Sequence, residues 1–440
     1  MPAPEASPPP ANGSQLDLKQ VIAMGVGAMV GGGIFSVLGL AIAQAGHAAP
    51  LAFALGGCIA LLTGYAYARL GLAFHSEGGS FTYLEHAFRS RHIAGLGGWL
   101  LLAGYIGTMA LYAYTFGVYG TALLGGETPN PAMHHLLESL ILLLFLGINL
   151  YGVRETGTSE LLIVTAKVLI LALFAVIGLL NLRADHVLPL FDQAPGGLLM
   201  GAALIFVAYE GFELIPNAMH EMRDPARNLT RGIFGSIAIT LAIYVLVALV
   251  AVGNLTPEQI DRYQEYALAV AAQPFLGEAG FLLIGLAALF STASAINATL
   301  FGTARLASVM AREHSLPQVF GFRRRGNGIP WLSLIIISAV TLLFVNLADL
   351  TMISSFASST FLLIFAAINL SALRLRRQIG IRPLAPALGL AFSLSSWLAL
   401  GVYLWREQPH SLHWIGGAYL AVALSHLLFS HLRLPTDTAV

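Results

Sequence analysis

The stretch Gly25-Val26-Gly27-Ala28-Met29-Val30-Gly31-Gly32-Gly33-Ile34-Phe35 restricts this chain more than any other. It lies in the first long apolar run, carries no charge, and five of its eleven residues are glycine. An uncharged stretch suits hydrocarbon, yet each glycine costs a helix interior up to about 1 kcal/mol relative to alanine. Three in succession therefore loosen or break a helix. Opened backbone cannot face lipid and must be buried in protein or line a cavity. Gly27 and Gly31 also form a GxxxG face suited to close helix packing. The stretch is thus either a packing face or a broken helix that holds a ligand.

Hydrophobic residues make up 57% of the chain and charged residues 10%, where a soluble domain would carry about a quarter. With 440 residues there is room for many spans of about 20 residues each. This composition describes an all-α polytopic membrane protein in a lipid bilayer. A formal net charge of zero gives no support to nucleic-acid binding. Cys58 is the one cysteine, which excludes an intrachain disulfide, a zinc cluster or a redox pair. No nucleophile–base pair, HExxH or phosphate loop is present, so neither an enzyme nor a cofactor is expected. Residues 1–16 are rich in Pro, Ala and Ser without Lys or Arg, which predicts a disordered cytoplasmic tail before a single domain over 17–433.

Apolar runs bounded by charge fall near 20–45, 50–74, 94–123, 134–152, 159–181, 196–219, 232–253, 278–304, 330–347, 351–373, 384–404 and 412–430, which predicts twelve spans. With the N-terminus inside, eighteen of the 22 Lys and Arg fall on the cytoplasmic side. Arg183, Arg262 and Arg406 fall outside, and Lys167 lies within a run. This positive-inside bias predicts a multi-pass protein of the cell (inner) membrane with both termini cytoplasmic. The cytoplasmic segment 76–93 suits an interfacial helix. In the external segment 254–276, Thr256-Pro257-Glu258-Gln259 carries the signals of a helix start.

A second interruption lies in the sixth run, where Phe206-Val207-Ala208-Tyr209-Glu210-Gly211-Phe212-Glu213 precedes Pro216 and Asn217. Acids at mid-membrane cost about 2.5–3.5 kcal/mol each on insertion scales, unless they simply mark the cytoplasmic end of the span. Breaks in the first and sixth spans fit two five-helix inverted repeats, 17–181 and 196–375, with spans eleven and twelve appended over 384–433. Half-helix N–H groups would then face a substrate carboxylate and free carbonyls its ammonium, as an L-amino acid requires. Lys167, in the fifth run, either snorkels to the interface or is an amine buried between helices. As a buried amine it could exchange a proton, or stand in for a sodium ion among carbonyls and hydroxyls such as those of Ser291, Thr292 and Ser294.

Taken together, the glycine run, Glu77-Gly-Gly-Ser-Phe-Thr-Tyr83, Ala208-Tyr-Glu-Gly-Phe-Glu213, Arg223-Asp-Pro-Ala-Arg-Asn228 and Ala304-Arg-Leu-Ala-Ser-Val-Met-Ala311 with Leu316-Pro317 resemble the amino acid–polyamine–organocation superfamily. Within it the resemblance is to bacterial and archaeal proton-coupled amino acid permeases. It implies a LeuT-like fold and alternating access around a site between the first, third, sixth, eighth and tenth spans. By resemblance, Val30, Gly31, Gly32 and Gly33 bind the substrate carboxylate, and Phe206, Val207, Ala208, Tyr209 and Glu210 accept the amino group. Phe206 or Val207 falls at an aromatic gate, and Lys167 with Ser291 and Ser294 occupies the place of a sodium ion. Glu213 and Tyr105 are gating or proton candidates, and Ser354, Ser355 and Phe356 are placed near the pocket. The implied function is sodium-independent, proton-coupled or exchange transport of L-amino acids, with neutral ones preferred because no strong Asp or Arg stands in the third, eighth or tenth span. A cationic amino acid or polyamine transporter is the alternative, kept open by Glu210, and a cation channel or potassium uptake protein is another.

Overall fold

A computed structural model describes residues 15–75, 78–88, 90–125, 130–152, 157–182, 187–193, 196–324 and 328–431. Residues 1–14 of the expected tail lie outside the described residues. So do Glu77, Arg89, Arg154, Arg183, Arg325 and Arg433, which the sequence reading used in its motifs and charge count.

The first span is broken where the glycines predict. Its halves are α1 (Leu18–Met29) and α2 (Gly33–Ala45). Asp17 opens α1 by a reciprocal cap: its carboxylate accepts from the Gln20 N–H, and the Gln20 side chain accepts from the Asp17 N–H, each at 2.9 Å. Helix α3 (Ala49–Ala73) is the second span, and the short α4 (Ser80–Phe88) sits in the segment read as interfacial. Helices α5 (Arg91–Leu123), α6 (Pro131–Tyr151) and α7 (Gly157–Leu180) complete the first five spans. The sixth consists of α8 (Gly197–Leu204) and the 3₁₀ turns Phe206–Tyr209 and Phe212–Glu221, bent by 50°.

Helix α9 (Pro225–Asn254) is the seventh span, followed by the short α10 (Pro257–Tyr263). Thr256 caps α10 as its sequence predicts, with Gln259 reaching back to the Thr256 N–H at 3.0 Å. Helix α11 (Ala267–Arg312) turns at Gly277, whose φ of 62° needs a residue without Cβ. Helices α12 (Trp331–Leu347), α13 (Leu350–Arg374), α14 (Leu384–Glu407) and α15 (Pro409–His431) follow. Among the described residues, nine helices are long and apolar enough to cross a membrane, ten with the bent pair. The first and second spans follow each other there as one run, and α12 is a shorter apolar helix of 17 residues, which accounts for the remaining two of twelve.

Packing follows an order. Helix α3 packs on α9, α5 on α11, and α6 on α12, while α1 meets the segment Phe212–Glu221 and α2 meets α8. Each of the first four spans thus touches the span five places later. Of the apolar stretch of α13, 78% is buried, but only 11% for α15, so α13 is central and α15 faces lipid. Leu16, read as the last residue of the tail, is instead tied down: its N–H donates to the Glu221 carbonyl at 2.8 Å and its carbonyl accepts from Arg223 at 2.9 Å. The entry to the first span and the exit of the sixth are thereby joined.

The two breaks touch through backbone. A Cβ on Gly33 would stand 2.6 Å from Ala208 Cα, and one on Gly211 would stand 2.6 Å from Ala28 Cβ and 2.9 Å from the Met29 nitrogen. Gly211 also has φ 126°, which a side chain opposes. Gly211→Ala should therefore cost several kcal/mol, strain and overlap adding, and lower the thermal midpoint of purified protein sharply. Gly302→Ala, with open space around its Cβ position, should leave the midpoint unchanged or raise it.

Candidate functional site

The backbone at the first break is open for a chemical reason. Helix α2 begins on Gly32, an N-cap with no side chain to bond the N–H groups of its first turn. A helix N-terminus without a cap is a ready anion site. On its other side the break is closed off by packing: a Cβ on Gly31 would stand 2.7 Å from Ala295 Cβ, and one on Gly32 2.5 Å from the Tyr112 ring. The glycines therefore do both jobs the sequence left open, breaking the helix and admitting close neighbours. Gly27, the other half of the GxxxG face, packs on Val164 of α7.

Helix α5 supplies most of the polar contacts to both breaks, from one stripe. Tyr105 donates to Glu213 Oε1 at 3.3 Å, Thr108 donates to Glu210 Oε2, and Tyr112 donates to the Ala28 carbonyl at 3.4 Å. Thr115 bonds Ser36, the serine that holds the Gly32 carbonyl at 2.6 Å, and Tyr119 donates to the Phe35 carbonyl at 3.0 Å. These positions are spaced three, four, three and four residues apart, one face of a helix over about 21 Å.

The sixth span is held from the other side by α13. Ser354 and Ser358 both donate to the Leu204 carbonyl, at 2.9 and 2.8 Å, and Ser358 accepts from the Val207 N–H at 3.0 Å. Between the breaks stands Tyr244 of α9, whose hydroxyl lies 2.6 Å from the Met29 carbonyl and 3.0 Å from the Ala208 carbonyl. One hydroxyl thus serves both interruptions.

Glu210 and Glu213 are 3% and 2% exposed. Glu213 folds back to accept from the Gly211 N–H at 2.7 Å as well as from Tyr105. Glu210 has the Thr108 hydroxyl as its side-chain partner. Among the described residues no lysine, arginine or histidine nitrogen lies within 4.0 Å of either. An unpaired buried carboxylate is costly, so this pair needs a proton or an incoming cation to offset its charge.

The remaining expected site residues divide. Val30, Gly31, Gly32, Gly33, Ala208, Glu210, Glu213 and Tyr105 come together at the breaks. Phe206 instead packs its ring on Phe365 of α13 at 5.5 Å, and Tyr209 donates to the Phe53 carbonyl of α3 at 2.7 Å. Val207 takes part through its N–H. Lys167 is buried, 3.5 Å from the carbonyl of Ser291. The Ser291 hydroxyl is buried without a hydrogen-bond partner among the described residues, and Ser294 is half-buried. Phe356 packs on Phe344 and Tyr419, away from the breaks. Sequence reasoning missed Thr108, Tyr112, Thr115, Tyr119, Ser358 and Tyr244. The five hydroxyls of α5 at heptad spacing were a readable signal for most of them.

Comparison with known proteins agrees on the kind of molecule. A family model described as amino acid permease matches residues 16–422. An uncharacterised protein of Methanocaldococcus jannaschii is 34% identical, covering 94% of this chain and 95% of its own length. The inner membrane transport protein YbaT of Escherichia coli is 31% identical, with 93% and 95% covered. The methylthioribose transporter of Bacillus subtilis is 27% identical, with 81% and 79% covered.

Tyr244→Phe removes the hydroxyl shared by the two breaks without changing the ring. It should cost about 1–3 kcal/mol, because a buried carbonyl loses its donor. Amide hydrogen exchange should speed up at 28–36 and 206–213 more than elsewhere, and uniform exchange would show that Tyr244 is not the clasp.

Proposed function

This chain belongs to the amino acid permease family, and we propose that it is a sodium-independent L-amino acid transporter working by alternating access. Its substrate would bind at the touching breaks, with the carboxylate on the first turn of α2 and the ammonium toward Ala208, Tyr209 and Glu210. The uncapped helix end facing a buried acid across the contact between Gly33 and Ala208 carries this reading. A zwitterion matches both polarities, and the helix dipole favours its negative end. Methylthioribose has no such head group, so the amino acid assignment rests on this geometry rather than on the relatives.

Burial of Lys167 beside the Ser291 carbonyl supports an amine in place of a sodium ion. A buried Lys can take up and release a proton, which an arginine could not. The pairing of each of the first four spans with the span five later supports two repeats, 17–181 and 196–375, which move against each other around the site. We place the protein in the cell membrane with both termini cytoplasmic, on the strength of the arginine distribution. Neutral side chains remain the preferred cargo, since α5, α11 and α13 place no acid or arginine at the breaks. A channel reading is poorly served by two acids that are buried and hydrogen-bonded.

Glu210 favours a second reading, a cationic amino acid or polyamine as substrate, because among the described residues no protein cation lies within 4.0 Å of it. The two readings separate in a thermal-shift panel of the twenty amino acids and common polyamines, where saturation at 100 Kd adds about 2.7 kcal/mol. Stabilisation by neutral amino acids alone supports the first. Stabilisation by lysine, arginine or a polyamine that disappears in Glu210→Gln supports the second.

Transport itself is tested in proteoliposomes. Labelled amino acid should accumulate without sodium and faster with acid outside, and Lys167→Ala should lower net uptake at least tenfold with the protein still inserted. Sodium-dependent, pH-insensitive uptake, or a fully active Lys167→Ala, would overturn the role given to this lysine.

A further inference from the structure

The first turns of α6, on the face read as external, carry a cluster that the proposed transport cycle does not use. Glu138 is fully buried there. His135 Nδ1 lies 2.7 Å from its Oε1, and His134 Nε2 lies 3.2 Å from its Oε2. The two imidazoles stack at 5.6 Å with their planes 9° apart. His135 is half-exposed and His134 mostly buried, so the cluster runs from the surface inward through one carboxylate.

A single hydrogen decides how the cluster is held. His134 Nε2 faces two acceptors, Glu138 Oε2 and the Tyr114 carbonyl, each at 3.2 Å. With one hydrogen to give, that nitrogen can align it with only one of them. Glu138 Oε2 is buried and accepts no hydrogen bond among the described residues, so the bond goes to Tyr114. What Oε2 meets is then the charge of the ring, present only when both ring nitrogens are protonated. A buried carboxylate without a counter-charge is costly, and among the described residues no lysine or arginine lies within 4.0 Å of Glu138. The other titratable groups facing the cluster are Tyr114 of α5, Glu265 in the turn Gln264–Tyr266 and, beyond Tyr114, Asp349 at the start of α13. None of these supplies a cation, which leaves the imidazoles.

The His134 ring also joins four elements. It lies on α5 where Gly117 has no side chain: a Cβ there would stand 2.3 Å from His134 Cδ2. The His134 and Tyr114 rings meet at 4.5 Å, nearly perpendicular, and the Tyr114 hydroxyl donates to Glu265 at 2.5 Å. Gln264, beside Glu265, lies against α2, its carbonyl oxygen 2.0 Å from where a Gly39 Cβ would stand. Contact thus passes from α6 to α5, to the turn and to the outer half of the first span. We propose that His134, His135 and Glu138 form a proton-binding site apart from the breaks, through which pH at the outer face sets how firmly α6 and the turn Gln264–Tyr266 are held on α5. Histidine is the side chain that changes charge between about pH 5 and 8. The sign follows from the pairing: the contact is complete while an imidazole is charged, and is lost as rising pH leaves the carboxylate alone.

The test compares the purified full chain with Glu138→Gln, which keeps the shape and removes the charge. The thermal midpoint of the unmodified chain should fall from about pH 6 to about pH 8. Glu138→Gln should be the less stable of the two at the acid end, and equal or more stable at the alkaline end. Over the same range amide protection at 113–121 and 263–267, corrected for intrinsic exchange, should fall about tenfold in the unmodified chain, as one unit of differential proton affinity gives. In the variant it should stay level. Identical profiles would overturn the proposal, and so would a midpoint lowered equally at every pH, which marks a carboxylate that is structural only. Should Glu138→Gln not fold, His135→Gln at its half-exposed position takes its place: a flattened profile supports the site and an unchanged one overturns it.

Discussion

Everything at the centre of this molecule depends on backbone meeting backbone where two helices are interrupted. Gly33 lies against Ala208 and Gly211 against Ala28 and Met29, closer than any side chain allows. Interrupted helices expose N–H and C=O groups, and hydrocarbon offers them no partner. Bringing the two interruptions together makes each the wall of the other. The Tyr244 hydroxyl, in reach of a carbonyl from both, turns this proximity into a joint.

The surrounding helices are arranged around that joint. Tyr112 and Tyr119 of α5 and two serines one turn apart on α13 bond backbone groups at or beside the breaks, while Tyr105 and Thr108 on the same face of α5 hold the two buried carboxylates. Each such bond contributes only about 1 kcal/mol net, while a missing one would cost up to about 3. The arrangement is therefore better understood as avoiding a penalty than as adding stability. The first turn of α2 is left without a side-chain cap, and among the described residues no cation stands beside the carboxylate of Glu210. At the two ends of the joint, Leu16 ties the start of the first span to the exit of the sixth, so the broken spans are coupled at the chain entry as well as at the centre.

Much of this was readable beforehand. Alternation of apolar runs and charges set out twelve spans; a glycine run marked the first interruption, and two acids with Gly211 and Pro216 marked the second. The caps at Asp17 and Thr256 came from local chemistry that operates within four residues. The hydroxyls of α5 were readable but passed over, because threonine and tyrosine in a membrane helix are common, and Tyr105 alone was singled out, by its position in the third span. Heptad spacing alone says that five side chains share a face. It does not say that the face meets a broken helix rather than lipid.

The sequence by itself determined where the backbone opens, because the missing Cβ of glycine and the cost of burying acids are properties of the residues. It determined also that the opened backbone had to be enclosed, since lipid cannot bond it. Only the tertiary structure decided which side chains face the opening. Phe206 and Tyr209 turn to α13 and α3, while Glu210 turns to α5. Within Phe206–Glu213 the chain follows 3₁₀ turns and a positive φ at Gly211, so neither the 3.6-residue nor the 2-residue period applies there. Without a period, direction comes from the neighbours that happen to close around each residue, and those are contributed by helices more than a hundred residues away.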